Sequence, residues 1–235
     1  MARTFLAFLL FFNLTACAEL QQVVNQLPQG GGVLNNTDIA AGLRQALDFG
    51  IAKQVSKLTQ TDGFYKNNLV KIVLPAELQK VDKGLRDIGL GKLADDGIKA
   101  LNRAAEDAVK EATPIFIDAV KGITFADAKT ILLGNDDAAT QYLNNKTQTA
   151  LYAKFNPVIK NSFGKVGADT IWKNLITKYN AIPFTSDVNP DLTDYVTTEA
   201  LKGVYTMIAV EEKEIRNNLA SRTTDLLKKV FALQD

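Results

Sequence analysis

The chain has 235 residues, 46% hydrophobic and 23% charged, with 15 Gly and 6 Pro; this excludes a disordered, collagen-like or fibrous protein, and the length suffices to bury a core without disulfide or metal staples. Lys plus Arg number 27 against 26 Asp plus Glu, so no basic excess is available to neutralise phosphates and no nucleic-acid partner is expected. With no His and one Cys, a Ser-His-Asp triad, a Cys-His dyad, a His-ligated zinc or haem and an intrachain disulfide are all excluded, and neither a cofactor nor a metal is expected.

Residues 1–16 read as a lipoprotein signal peptide. Arg3 supplies a weak positive start, Phe5 to Phe12 is an apolar run too short to span a bilayer, and Leu14-Thr15-Ala16-Cys17 has the form of a lipobox. Cys17 is therefore the expected lipidation site. A diacylglycerol thioether and an acylated amine, with chains such as palmitate, would hold the protein on a membrane at about 0.8 kcal/mol per buried methylene. Ala18, rather than aspartate, follows the cysteine, which favours the outer membrane. Residues 17–36 are polar, contain Pro28 and the triplet Gly30-Gly31-Gly32, and read as a flexible tether with a reach on the order of 25 Å.

From 37 to 235 the spacing predicts one all-α, compact, multi-helix domain with at most one vestigial strand. Ile39, Leu43, Leu47, Ile51, Val55 and Leu58 form the stripe of a first helix that Thr37 or Asp38 can cap, and Asp62-Gly63 ends it. Val70 to Leu74 is the only strand candidate, and Pro75 opens a helix carrying Leu78, Val81, Leu85 and Ile88. A long helix over about 95–120 carries Ile98, Leu101, Ala105, Ala108, Ala112, Ile115 and Ala119, with Pro114 expected to kink or split it. Thr124 to Asp127 has capping-box form and opens a short helix ending at Leu133-Gly134. Further helices are expected over about 137–145, 147–155, 157–165, 168–180, 191–217 and 221–233, with Asn156-Pro157 and Asn189-Pro190 as helix starts. The weak point is Ile182 to Pro190, with two prolines and no period.

Without histidine or thiol, only carboxylates, Lys, Tyr, Ser/Thr or a bound metal could do chemistry. Ionisable residues on apolar stripes are the informative ones, because burying them is costly unless they are paired. Glu211 or Glu212 must lie on the stripe of Val204, Ile208 and Ile215, with Arg216 four residues beyond Glu212; Arg103 has Glu106 and Asp107 three and four residues on. Arg103, Glu106, Glu211, Glu212 and Arg216 are expected to converge into one polar cluster, either structural or a ligand site. Asp127 and Asp137 read as helix N-terminal charges. Asp187, Asn189, Asp191 and Asp194 fail as a calcium loop, since Leu192 and Thr198 stand where glycine and glutamate are required. Trp172 reads as a core anchor.

Several segments taken together, Asp62-Gly63-Phe64 with Val70 to Pro75, Asn102 to Glu106, Pro114-Ile115-Phe116, Asp127-Ala128 with Ile131 to Gly134, Ala139-Thr140, Glu211-Glu212 with Ile215-Arg216, and Arg222 to Phe231, resemble a bacterial envelope family catalogued as domain of unknown function 4197. The resemblance implies a helical, exported domain and supplies no catalytic residue. Three functions remain: a lipid-anchored, non-catalytic binding or scaffold protein of the periplasm, a carrier of a lipid or other amphiphile, and a hydrolase of envelope polymers using Glu106 with Glu211 or Glu212. The expected partners are the membrane, through the lipid, and an envelope protein or an amphiphile. A packed core favours the first function, a roomy apolar cavity the second, and paired carboxylates in a cleft the third.

Overall fold

A computed structural model describes residues 34–234 apart from 88, 90, 167 and 181–190. The signal peptide, Cys17, nearly all of the tether and the Ile182 to Pro190 stretch fall outside the described residues, as do Asp187 and Asn189 of the rejected calcium loop. Among those described, nine α-helices and one 3₁₀ turn account for the regular structure and there is no strand. Asn35–Asp235 forms one compact unit.

Helix α1 (Asn36–Leu58) is capped two residues before Thr37, the earlier of the two expected caps. Asn35 is the cap: its side chain accepts the Asp38 N–H at 2.9 Å while Asp38 accepts the Asn35 N–H at 3.1 Å, a reciprocal pair that satisfies two orphan donors. The stripe of Leu43, Leu47, Ile51, Val55 and Leu58 is buried, and Ala46, Gly50 and Gln54 widen it, because α1 packs against five helices introduced below.

After α1 the chain turns through Asp62, the one described non-glycine residue with positive φ, at 67°. Gly63 follows where any Cβ would stand 2.4 Å from the Lys57 carbonyl oxygen, so this turn closes directly on the end of α1. Phe64 then plugs into the core against Gly203, where a Cβ would come within 2.7 Å of its ring. Residues 71–75 form no regular element, yet Ile72 and Leu74 are buried and Lys71 and Val73 exposed, the alternation of a strand without a neighbouring strand. Asn102 takes the neighbour's place. Its side-chain oxygen accepts the Ile72 N–H and its amide donates to the Ile72 carbonyl, both at 2.8 Å, so a buried backbone pair is satisfied by one side chain.

Helix α2 (Ala76–Asp87) precedes α3 (Gly91–Val109) and α4 (Ala112–Lys121). The expected long helix is thus split at residues 110–111, with Pro114 in the first turn of α4, where its missing N–H costs nothing. The break resets the phase: Phe116 and Val120 are buried in place of Ile115 and Ala119. Helix α5 (Phe125–Leu132) opens on the expected Thr124–Asp127 capping box and ends at Leu133.

The three short helices expected between 137 and 165 are instead one, α6 (Ala138–Val166), running through Pro157. Pro157 and Ala153, whose carbonyl loses its donor, are both on the exposed side, so water can take the freed oxygen and the helix continues. Helix α7 (Ala168–Asn180) follows, then α8 (Thr193–Asn217), a 3₁₀ turn (Leu219–Ser221) and α9 (Asp225–Phe231). Helices α6 and α8 are the axis of the fold. They pack on each other and both on α3, α6 also meets α4, α5 and α7, and α1 joins α8 to α4, α5 and α9. At the α6–α8 seam the Tyr205 hydroxyl bonds Thr147 Oγ1 at 2.8 Å, and its ring meets Phe116 edge-on at 6.0 Å. Trp172 is buried, as expected, with its indole against Gly97.

Candidate functional site

The five charged residues expected to converge do not form one cluster. They fall into three groups, and the fold explains each. Both Glu211 and Glu212 are buried on α8, but successive helical residues point about 100° apart. Glu211 therefore faces α1 while Glu212 faces the corner between α5 and α6. Arg103, on α3, binds neither.

The innermost group is Glu212 with Arg216, an ion pair at 2.8 Å whose side chains are 6% and 4% exposed. The glutamate stands at the N-terminus of α6. Its Oε1 accepts the Ala139 N–H and its Oε2 the Thr140 N–H and Thr140 hydroxyl, each at 2.8 Å. These are helix-end donors that the helix itself cannot satisfy, and they carry the positive end of its dipole. Arg216 also binds Glu212 Oε1 through Nε at 3.0 Å and donates to the carbonyls of Ile131 at 2.8 Å and Leu132 at 3.1 Å, at the C-terminus of α5. One i, i+4 pair on α8 thus caps the end of one helix and the start of the next. Gln234 donates to the same Leu132 carbonyl.

Arg222 does similar work at the end of α8. Fully buried beside the Phe231 ring, it donates to the carbonyls of Ile215 at 3.1 Å and Arg216 at 2.8 Å. Nothing in the local spacing marks it, because these two carbonyls belong to the backbone.

The second group lies at the turn after α1. Arg103 Nη1 meets Glu106 Oε2 at 2.5 Å and its Nη2 meets Asp62 Oδ1 at 2.6 Å, while Glu106 Oε1 accepts the Phe64 N–H at 3.2 Å. Lys66 adds a contact to Asp62 at 2.9 Å. The Lys66 hydrogen bond, with the Arg103 charge beside it, holds the Asp62 carboxyl below the usual carboxylate range. Arg103 is 30% exposed, so this group is open to water. The Asp62-Gly63-Phe64 motif was the available signal for it.

In the third group Glu211 accepts from Lys53 Nζ at 2.5 Å and from Gln54 Nε2 at 2.6 Å. Every candidate carboxylate is therefore bound by a cation. Beneath Glu212 and Arg216 lies a cavity of about 20 Å³, lined also by Leu43, Leu47, Ile208 and Phe231, with room for a single water.

A larger space opens on the outside of the same corner. Between α5 and α6 runs an open groove of about 500 Å³, lined by Asp127, Thr130, Asn135, Gln141, Tyr142 and Asn145 over Ala126, Gly134 and Ala138. Asp127 is the cap carboxylate of α5. Its Oδ2 accepts the Thr124 N–H at 2.9 Å and the Thr124 hydroxyl at 2.8 Å, which holds its carboxyl below the usual range. Burial and the Asp127 charge push the Tyr142 phenol up. This corner, fixed from below and open above, is the candidate site.

Among the described residues no helix is long and apolar enough to cross a membrane. No curated protein and no solved structure matches the chain. One family does: the sequence model described as a protein of unknown function (DUF4197) matches residues 33–232, which takes in every described helix and all three charged groups, and the chain belongs to that family.

Proposed function

We propose that this is a lipid-anchored, non-catalytic binding or scaffold protein of the cell envelope, held through acyl chains on Cys17 at the periplasmic face of the outer membrane. The observation that carries the non-catalytic reading is the use made of the carboxylates. Glu106, Glu211 and Glu212 are all buried and each is bound by a cation, with Glu212 further occupied by helix-end N–H groups. A general acid or base needs a reachable site for its proton, and these groups are spent on holding the fold. The only carboxylate lining the open groove, Asp127, is a helix cap. The cavity under the ion pair, at about 20 Å³, has room for one water and not for an acyl chain. Support for the anchor comes from the sequence: a lipobox ending at the only cysteine in the chain.

Cell fractionation tests the anchor. The wild-type protein is expected in the membrane fraction at high salt, released only by detergent, with a mass matching an acylated Cys17. Cys17→Ser with its signal removed is expected in the soluble fraction. A Cys17→Ser protein with its signal removed that still stayed on membranes at high salt would overturn the reading.

A further inference from the structure

We propose that the groove between α5 and α6 is a binding site for a neutral saccharide. This rests on the binding-protein reading above and names the class of ligand. A groove of about 500 Å³ falls within the range of small-molecule sites. Three carboxamides, Asn135, Gln141 and Asn145, line it with Thr130 and Tyr142. The Gln141 amide already donates to Asp137 Oδ1 and the Thr130 hydroxyl to the Ala126 carbonyl, each at 3.0 Å, which fixes these two side chains and leaves their oxygens to accept. A carboxamide both donates and accepts, which matches a hydroxyl group that does the same, and an aromatic ring offers a flat apolar surface to the C–H face of a sugar.

Charge argues for a neutral ligand. The lining contains one ionised group, Asp127, whose Oδ2 is engaged by Thr124 and whose Oδ1 has no protein donor among the described residues. The Lys146 ammonium stands 5.6 Å from the centroid of the Tyr142 ring, and the Asp137 carboxylate accepts from Gln141 at 3.0 Å, so a second acidic group stands beside the lining. An anionic ligand would meet the carboxylate and find a single compensating cation.

The groove is also preformed. Its floor is closely packed: a Cβ on Gly134 would come within 2.7 Å of the Ala138 Cβ and 3.1 Å of the Thr130 carbonyl oxygen, while Ala126 is exposed. The walls are tied from beneath by the Glu212–Arg216 pair, through the Ile131 carbonyl on one side and the Ala139 N–H on the other. Fixing a site before the ligand arrives lowers the ordering cost of binding.

The test uses the soluble Cys17→Ser chain with its signal removed, titrated by ligand-observed NMR with three probes: maltotetraose, chitotetraose and a polyanionic heparin oligosaccharide. At least one neutral probe is expected to bind in the millimolar range, more tightly than heparin. Ala126→Trp fills the groove at an exposed position, and Asn145→Ala removes one carboxamide. Both should keep the circular dichroism spectrum and weaken binding by at least about tenfold and a few-fold, respectively. Failure of both neutral probes, binding unchanged in Ala126→Trp, or preference for heparin would each overturn the proposal. Co-sedimentation of the same protein with purified envelope fragments separates the two readings. Sedimentation unaffected by Ala126→Trp, with no saccharide binding, would sink the groove and keep the binding protein, whereas no sedimentation and no saccharide binding would remove both.

Discussion

Two ion pairs in this protein each join adjacent turns of one helix and do different work. Arg103 and Glu106 lie three apart on α3, and Glu212 and Arg216 lie four apart on α8. In an isolated helix each would be worth no more than a few tenths of a kcal/mol. In the fold, the α8 pair is dry and holds backbone groups of two other helices, while the α3 pair opens to solvent and ties down one turn through Asp62 and the Phe64 N–H. The value of a charge pair is set by what else its oxygens and nitrogens must satisfy.

The largest effect should come from breaking the α8 pair. Glu212→Ala leaves a buried guanidinium without its carboxylate and is expected to cost about 3–5 kcal/mol, measured by urea denaturation. Replacing both partners, as Glu212→Leu with Arg216→Met, usually recovers stability at a buried pair. Here it should not, because the Ala139 and Thr140 N–H groups and the Ile131 and Leu132 carbonyls would all lose partners. A double variant as stable as wild type would show that the helix ends are satisfied in some other way.

Arg103→Ala should cost less, about 1–2 kcal/mol in the same measurement, since Arg103 is partly solvated and Glu106 keeps the Phe64 N–H. An equal loss at the two sites would erase the distinction drawn between them.

The smallest effect is on acid stability. Asp62 has a lowered pKa in the folded protein. Its contribution is therefore present above its unfolded value, about 3.9, and is lost as pH falls through the lower folded value. Thermal midpoints of wild type and Asp62→Asn, compared from neutral pH downward, should differ above about pH 4 and converge below it. A constant offset at every pH would assign the effect to packing of the turn.

The helices were legible because their signals are local. The α1 stripe, the Thr124–Asp127 capping box and the proline-opened α4 are each written within one or two turns. Pro157 misled for a related reason: a proline marks a helix start in sequence, yet whether the helix continues depends on whether the freed carbonyl faces water. The partners of the charged groups were not legible. Glu212 binds residues 72 and 73 positions away, and Arg216 binds carbonyls 84 and 85 away. The sequence shows that a carboxylate sits on an apolar stripe and needs compensation, but backbone partners leave no mark of their own. For Arg103 the partner was a carboxylate in a turn, 41 residues earlier, rather than one on a neighbouring helix. The groove residues Tyr142, Asn135 and Asn145 carry no spacing signal at all, because their proximity arises from the corner that α8 clamps.

The bond between Asn102 and Ile72 has a consequence for solubility. Val70 to Leu74, Val-Lys-Ile-Val-Leu, is rich in β-branched residues, and segments of that kind pair readily with copies of themselves when an edge is free. Asn102 occupies one edge as a neighbouring strand would, and Lys71 places a charge among the apolar side chains. A chain that lost this side chain could keep its helices and still precipitate, so the amide acts as a guard against self-association as well as a strut within the fold.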